Sequence, residues 1–197
     1  LREAIFFLRI GSELAIDNDS AFSVQALFPY KNVNQRLDST METKQRDPSN
    51  VIIIGCDHAA YPLKEKVKAF LVGKGHTVED VGAYSENSVD YPEYGARVAS
   101  AVSTGKYRRG ILLCGTGIGM SMVANKFQNV RAALCGEPFA ARMSRQHNDA
   151  NVLVLGGRVL GDTMALETVE SWLSTPFEGD RHQKRLSMFD SLGEKAS

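Results

Sequence analysis

Cys114-Gly-Thr-Gly-Ile-Gly119 sets one reactive side chain beside three glycines at alternate positions. Glycine lets the backbone turn so that several N–H groups point into one concavity, an arrangement that holds anions. The residues that follow can enter a helix, whose first N–H groups lack internal partners and carry the positive end of the dipole. Both features favour thiolate and a lowered pKa at Cys114. The chemistry on offer is a reactive sulfur facing an oxyanion pocket. Cys56 and Cys135 have no such turn after them and are expected to be packing residues.

The turn matches none of the common phosphate loops. No Gly-Lys-Ser/Thr ending follows, which argues against a P-loop. Met120 stands where a dinucleotide fingerprint needs its third glycine and where a cysteine-phosphatase loop needs arginine. Elsewhere, His58 follows an apolar run, and His147 falls at the end of a predicted helix, where an imidazole can simply cap carbonyls. His76 and His182 are expected at the surface. Arg181 and Arg185 lie four apart and share a helical face, either as a solvated stripe or as a fork for phosphate.

The elements that must position these groups are legible in the apolar pattern. Val51–Ile54, Thr77–Val81, Ile111–Leu113, Arg131–Cys135 and Val152–Leu155 read as strands. Between them, helical spacing links Leu63, Val67, Phe70 and Leu71, then Tyr94, Val98, Ala101 and Val102. Pro62 suits the first turn of one helix. Asp90-Tyr-Pro-Glu93 offers another a cap, a proline and a first-turn acid. Further helices are expected from Glu137 to about His147, after a cap at Asp162, and from about Arg181 to Leu192. Strand and helix alternate, so the expected fold is α/β, a three-layer αβα Rossmann-like arrangement with about five parallel strands. Ligands of such sheets bind beyond the carboxyl ends of the strands. Asp57 and His58, Cys114, Glu137 and Arg158 all follow strand ends and should converge there.

The 197 residues carry 23 basic and 23 acidic side chains, so no broad field for nucleic acid or an anionic membrane is expected. Three cysteines without ligand spacing argue against disulfides or zinc and point to a reducing cytoplasm. No apolar run approaches the ~20 residues of a membrane span. Residues 1–50 differ: Arg9 interrupts the apolar Ile5–Leu8, and the polar, mixed-charge stretch Asn32–Asn50 reads as a linker or disordered lead-in. The expected organisation is a disordered or non-native extension over 1–50, with Met41 as the native start, and a functional domain over 51–197.

Six motifs occur in order: Gly55-Cys-Asp-His58, Asp90-Tyr-Pro92, Cys114–Gly119, Ala124-Asn-Lys126, Ser144–Asp149 and Gly179–Arg185. Together they closely resemble ribose-5-phosphate isomerase type B, in the family that includes galactose-6-phosphate isomerase subunits, over about residues 51–190. The resemblance implies interconversion of ribose 5-phosphate and ribulose 5-phosphate in the pentose phosphate pathway. Cys114 would be the base, Thr116 its neighbour, and His147 the group that opens the sugar ring. The Gly115, Gly117, Ile118 and Gly119 turn would hold the enediolate oxygen. Asp57, His58, Tyr91 and Asn148 would contact substrate, and Arg158, Arg181 and Arg185 would surround the phosphate. It further implies a homodimer or dimer of dimers with shared sites, and neither metal nor organic cofactor. One branch of the family carries glutamate in the turn; Cys114, with Met120 at that glutamate's position, would place this chain in the cysteine branch. Alternatives are an isomerase of allose or galactose 6-phosphate, a cysteine hydrolase, and a non-catalytic sugar-phosphate-binding subunit.

Overall fold

The computed structural model describes residues 50–188 and residue 192, so the expectations for residues 1–49, including a start at Met41, lie outside the described residues. The expected parallel sheet is present. It comprises β1 (Val51–Cys56), β2 (Thr77–Asp80), β3 (Arg109–Cys114), β4 (Ala132–Leu134) and β5 (Val152–Gly156), in the order β2-β1-β3-β5-β4, with every pairing parallel. The helices are α1 (Tyr61–Gly73), α2 (Tyr91–Ser103), α3 (Ile118–Ala124), α4 (Pro138–Asn148), α5 (Asp162–Ser174) and α6 (Asp180–Ser187). Among the described residues no helix is long and apolar enough to cross a membrane.

The continuous apolar runs of β1, β3 and β5 divide by the two-residue period of a strand. Ile52, Ile54, Ile111, Leu113, Leu153 and Leu155 face one core, which α1 and α5 close with Leu63, Val67, Val169 and the fully buried Trp172. Ile53, Leu112, Cys114, Val152 and Val154 face the other, closed by α2 and α3 through Val98, Val102, Met120 and Ala124. Cys114 thus extends from the α2/α3 side of the sheet.

Several local expectations are corrected. The strand expected over Arg131–Cys135 is only Ala132–Leu134, because it is an edge strand whose outer side pairs with a side chain. The Asn125 amide accepts from Ala132 N at 2.9 Å and donates to Ala132 O at 2.9 Å, completing two backbone groups that an edge leaves open. Gly161, not Asp162, is the N-cap of α5; Asp162 sits in the first turn, where the helix dipole favours an acid and Lys66 pairs with it. Asp90 occupies the N-cap of α2, but its side chain makes no capping bond. The last helix closes at Ser187, where the Met188 N–H bonds Arg185 O, short of the expected Leu192.

One buried charge cross-links the sheet's carboxyl edge. Lys64 of α1 is fully buried, and its Nζ donates to Asp80 Oδ1 and Oδ2 at 2.9 and 2.8 Å and to Ala83 O at 2.8 Å. Lys68 adds a bond to Asp80 Oδ2 at 2.8 Å. This anchors the segment after β2, which in turn bonds the end of β1 through Ala83 N and Cys56 O at 2.8 Å, one residue before Asp57. Burial alone would raise the Asp80 carboxyl, but the hydrogen bonds from Lys64 and Lys68 outweigh it and hold the group below its ordinary value. The stability it contributes is therefore complete above the unfolded value near ~4 and is lost as pH falls through the lower folded value. Asp80→Asn should cost about 3 kcal/mol at pH 7, because it leaves the buried Lys64 with only the more exposed Glu65 carboxylate, 3.1 Å away, as counter-charge. Lys64→Met should cost less, since it removes the buried charge itself. Urea unfolding of both variants checks this; equal losses would contradict the desolvation argument.

Candidate active site

The chain leaves β1 toward the α1 face and β3 toward the α3 face, so a crevice opens between two neighbouring strand ends. Asp57 and Cys114 stand on its two sides. Asp57 is buried, its N–H bonds Leu113 O at 3.1 Å, and its Oδ1 accepts from Ala59 N and Ala60 N at 3.0 and 3.2 Å. One oxygen of the expected substrate ligand is therefore committed to capping the short 3₁₀ turn His58–Ala60. His58 follows, with Nδ1 held 3.2 Å from Val89 N. Sequence reasoning missed Val89, because nothing in an apolar side chain signals a backbone contact.

Across the crevice, the glycine turn is a built structure. Gly117 has φ +81° and is the N-cap of α3, and a Cβ there would lie 2.4 Å from Leu134 Cδ1 and 3.2 Å from the Leu155 backbone. Its N–H donates to Cys114 Sγ at 3.1 Å, a bond that favours negative charge on sulfur. The Ile118 N–H is bonded to Thr116 Oγ1 at 3.3 Å. Two of the turn's amides are thus used internally. Those of Gly115, Thr116 and Gly119 have no such partner among the described residues. Gly119 also admits the Tyr91 ring, since a Cβ there would sit 2.6 Å from it. Arg158 arches over the turn: its Cδ would be 3.6 Å from a Cβ on Gly115, and its N–H bonds Gly115 O at 2.9 Å.

Met120 is fully buried against Gly95 of α2. Thr116 and Ile118 are the exposed side chains of the turn. Glu137 does reach the carboxyl edge, yet its carboxylate caps α4, accepting from Phe139 N and Ala140 N at 2.6 Å each. It works as a helix cap.

His147 and Asn148 lie elsewhere. α4 leaves the carboxyl edge at Glu137 and runs back beside the sheet for about 16 Å, at ~1.5 Å per residue. Its last turn therefore ends at the amino edge, where Arg131 Nε, just before β4, bonds Asn148 O and Asp149 O at 3.0 and 3.1 Å. α6 packs there too: the Glu178 N–H bonds Gln146 O at 3.1 Å, and the His182 ring stacks on His147 with centroids 4.3 Å apart and 6° between planes. His182, expected at the surface, is buried with 3% exposure because this stack and Leu186 enclose it. Burial, then the His147 and Arg181 charges, hold its imidazole below the ordinary value. Arg181 and Arg185 project from the exposed face of α6. The expected site residues thus fall into two separate groups in this chain. Asp57, His58, Tyr91, Cys114, Thr116, the glycine turn and Arg158 form one; His147, Asn148, Arg181 and Arg185 form the other.

The family described as Ribose/Galactose Isomerase matches residues 52–189. The ribose-5-phosphate isomerase B of Escherichia coli (strain K12) is 46% identical over 144 residues, covering 73% of this chain and 97% of that protein. A ribose 5-phosphate isomerase structure from Thermotoga maritima superposes with a TM-score of 0.69 at 53% identity, over 71% of this chain and 97% of that one. Ribose-5-phosphate isomerase B from Mycoplasma genitalium, solved with bound ribulose-5-phosphate, gives 0.71 at 36% identity, over 74% and 97%.

The three free thiols differ in environment. Burial pushes the Cys56 thiol up to about 12 and the Cys135 thiol up to about 11, whereas Cys114, at 5% the most exposed of the three, carries the Gly117 N–H on its sulfur. Since the thiolate is the reactive form, iodoacetamide at pH 8 should alkylate Cys114 and spare the other two. Peptide mass mapping reads this directly. Comparable labelling of Cys56 would remove the distinction between catalytic and packing sulfur.

Proposed function

The chain belongs to the ribose/galactose isomerase family, and on that basis we propose that it interconverts ribose 5-phosphate and ribulose 5-phosphate through an enediolate. The observation that supports this most is the Cys114 sulfur, held by the Gly117 N–H beside a crevice with spare amide donors. The Cys114 thiolate takes the proton from C2 of the open-chain aldose. The C–H electron pair then forms the C1–C2 double bond while the carbonyl oxygen becomes an oxyanion, met by the Gly115, Thr116 and Gly119 amides. Return of that proton from sulfur to C1 and transfer of the O2 proton to O1 complete the ketose. His147 opens the ring by passing a proton to the ring oxygen as the C1 hydroxyl gives one up. Arg181 and Arg185 grip the phosphate, whose binding energy positions carbons it does not touch.

The proposal includes a homodimer with shared sites, which the separation of the two residue groups supports. His147 cannot serve the Cys114 of its own chain across the sheet, but a second copy can bring its amino edge to the first copy's carboxyl edge. A two-fold axis then makes two equal sites. Exposed apolar side chains at the carboxyl edge, Ile118, Leu134 and Val159, suit such a contact. A reducing cytoplasm, where three free thiols persist, and the pentose phosphate pathway fit this activity.

Cys114→Ala should lower kcat for ribose 5-phosphate by at least ~10²-fold while ribulose 5-phosphate still binds. Undiminished turnover would remove Cys114 as the base. A panel of pentose and hexose phosphates with the wild type should show five-carbon substrates preferred; a hexose 6-phosphate turned over faster would replace the assignment. Sharing is tested by refolding inactive Cys114→Ala and His147→Ala chains together. Half of an equal mixture forms hybrid dimers, each with one intact site, so about a quarter of wild-type activity should return. No recovery would place both residues in one chain's site.

A further inference from the structure

We infer that His147, Glu178 and His182 form a site for a divalent ion of the zinc type, and that its occupation switches the isomerase off. The second half rests on the function proposed above; the first stands on geometry alone. Two imidazoles and a carboxylate offer ligand atoms that all lie within 4.8 Å of one another. His182 Nε2 and Glu178 Oε2 are already 3.4 Å apart. Zinc binds nitrogen and carboxylate oxygen at about 2.0–2.2 Å, so neighbouring donors in a tetrahedral site stand roughly 3.3 Å apart. An ion lies in the plane of each imidazole that binds it, so the half-buried His147 has to turn out of its stack on His182 and, with the exposed Glu178, close up to about 1.5 Å, while buried His182 provides a fixed donor.

The donor set also selects the ion. Two imidazoles with one carboxylate suit zinc, nickel or copper, whereas magnesium and calcium want oxygen ligands. The Arg181 Nε–H lies 3.3 Å from His182 Nε2, and since a guanidinium can only donate, that nitrogen presents its lone pair outward. Arg181 must swing away for a metal to enter. With Arg185 it also repels cations, so the site binds more weakly than a structural zinc centre and competes with sugar phosphate for the same surface. An ion held there takes the His147 lone pair needed for ring opening. Sequence reading gives no metal site, because Glu178 and His182 lie 31 and 35 residues beyond His147, and only the packing of α6 on α4 unites them.

The test is zinc chloride titrated into the full-length apo protein against a chromophoric chelator. Wild type should take one ion per chain, and Glu178→Gln and His182→Asn should each weaken it by at least about tenfold. In EDTA, Glu178→Gln should turn over like wild type; in zinc that silences wild type, it should stay active. Zinc affinity unchanged in Glu178→Gln, or abolished by Cys114→Ser alone, would overturn the site. Glu178 is exposed, so this holds even if His182→Asn fails to fold. Zinc bound at the triad of a chain without isomerase activity would count against the proposed function and leave the metal site standing.

Discussion

A helix that follows a strand in a parallel sheet has to run back to the edge from which that strand set out. This constraint governs the whole molecule. It places every strand-end residue, Asp57, Cys114 and Arg158 among them, on one edge, and every helix-end residue, His147 and Asn148 among them, on the other. An isomerase needs a base at carbon and a proton carrier at the ring oxygen only a few ångströms apart. A single chain of this fold holds them about a helix length apart. The homodimer proposed above answers this constraint, because a second copy can bring one edge to the other.

Within the Cys114 half, backbone geometry does most of the chemical tuning. The left-handed Gly117 turns its N–H onto the sulfur, and the same turn starts α3. Side chains supply the frame: Asp57 caps the turn opposite, Tyr91 lies against Gly119, and Arg158 spans Gly115. Further out, the Lys64–Asp80 pair fixes the segment beside β1. An oxyanion pocket made of peptide groups reorganises little when charge appears, which is the condition for electrostatic stabilisation.

In the other half, imidazole and guanidinium groups are crowded together. His147 and His182 stack, with Arg181 close to the pair. Such a surface attracts anions, and burial with the neighbouring charges disfavours an extra proton on His182. Imidazole lone pairs that serve proton transfer are the same ones that bind a metal ion, which links the two proposals made above.

The sequence by itself determined the layers and the reactive half-site. Uninterrupted apolar runs demand strands buried on both faces, helical spacing supplies their covers, and strand ends carry Asp57, Cys114 and Arg158 to one edge by topology alone. These are local or period-based properties, which a linear chain displays. Tertiary structure decided what depends on distance through space. It showed that Met120 faces the core and Ile118 the mouth, that two of the turn's amides are already used, and that Glu137 caps a helix. It also buried His182 against His147, 35 positions earlier in the chain. Residue spacing along the chain says which groups share an element's face. Which elements meet, and whether a polar group is spent on its own backbone or left for a substrate, is settled only when the core closes.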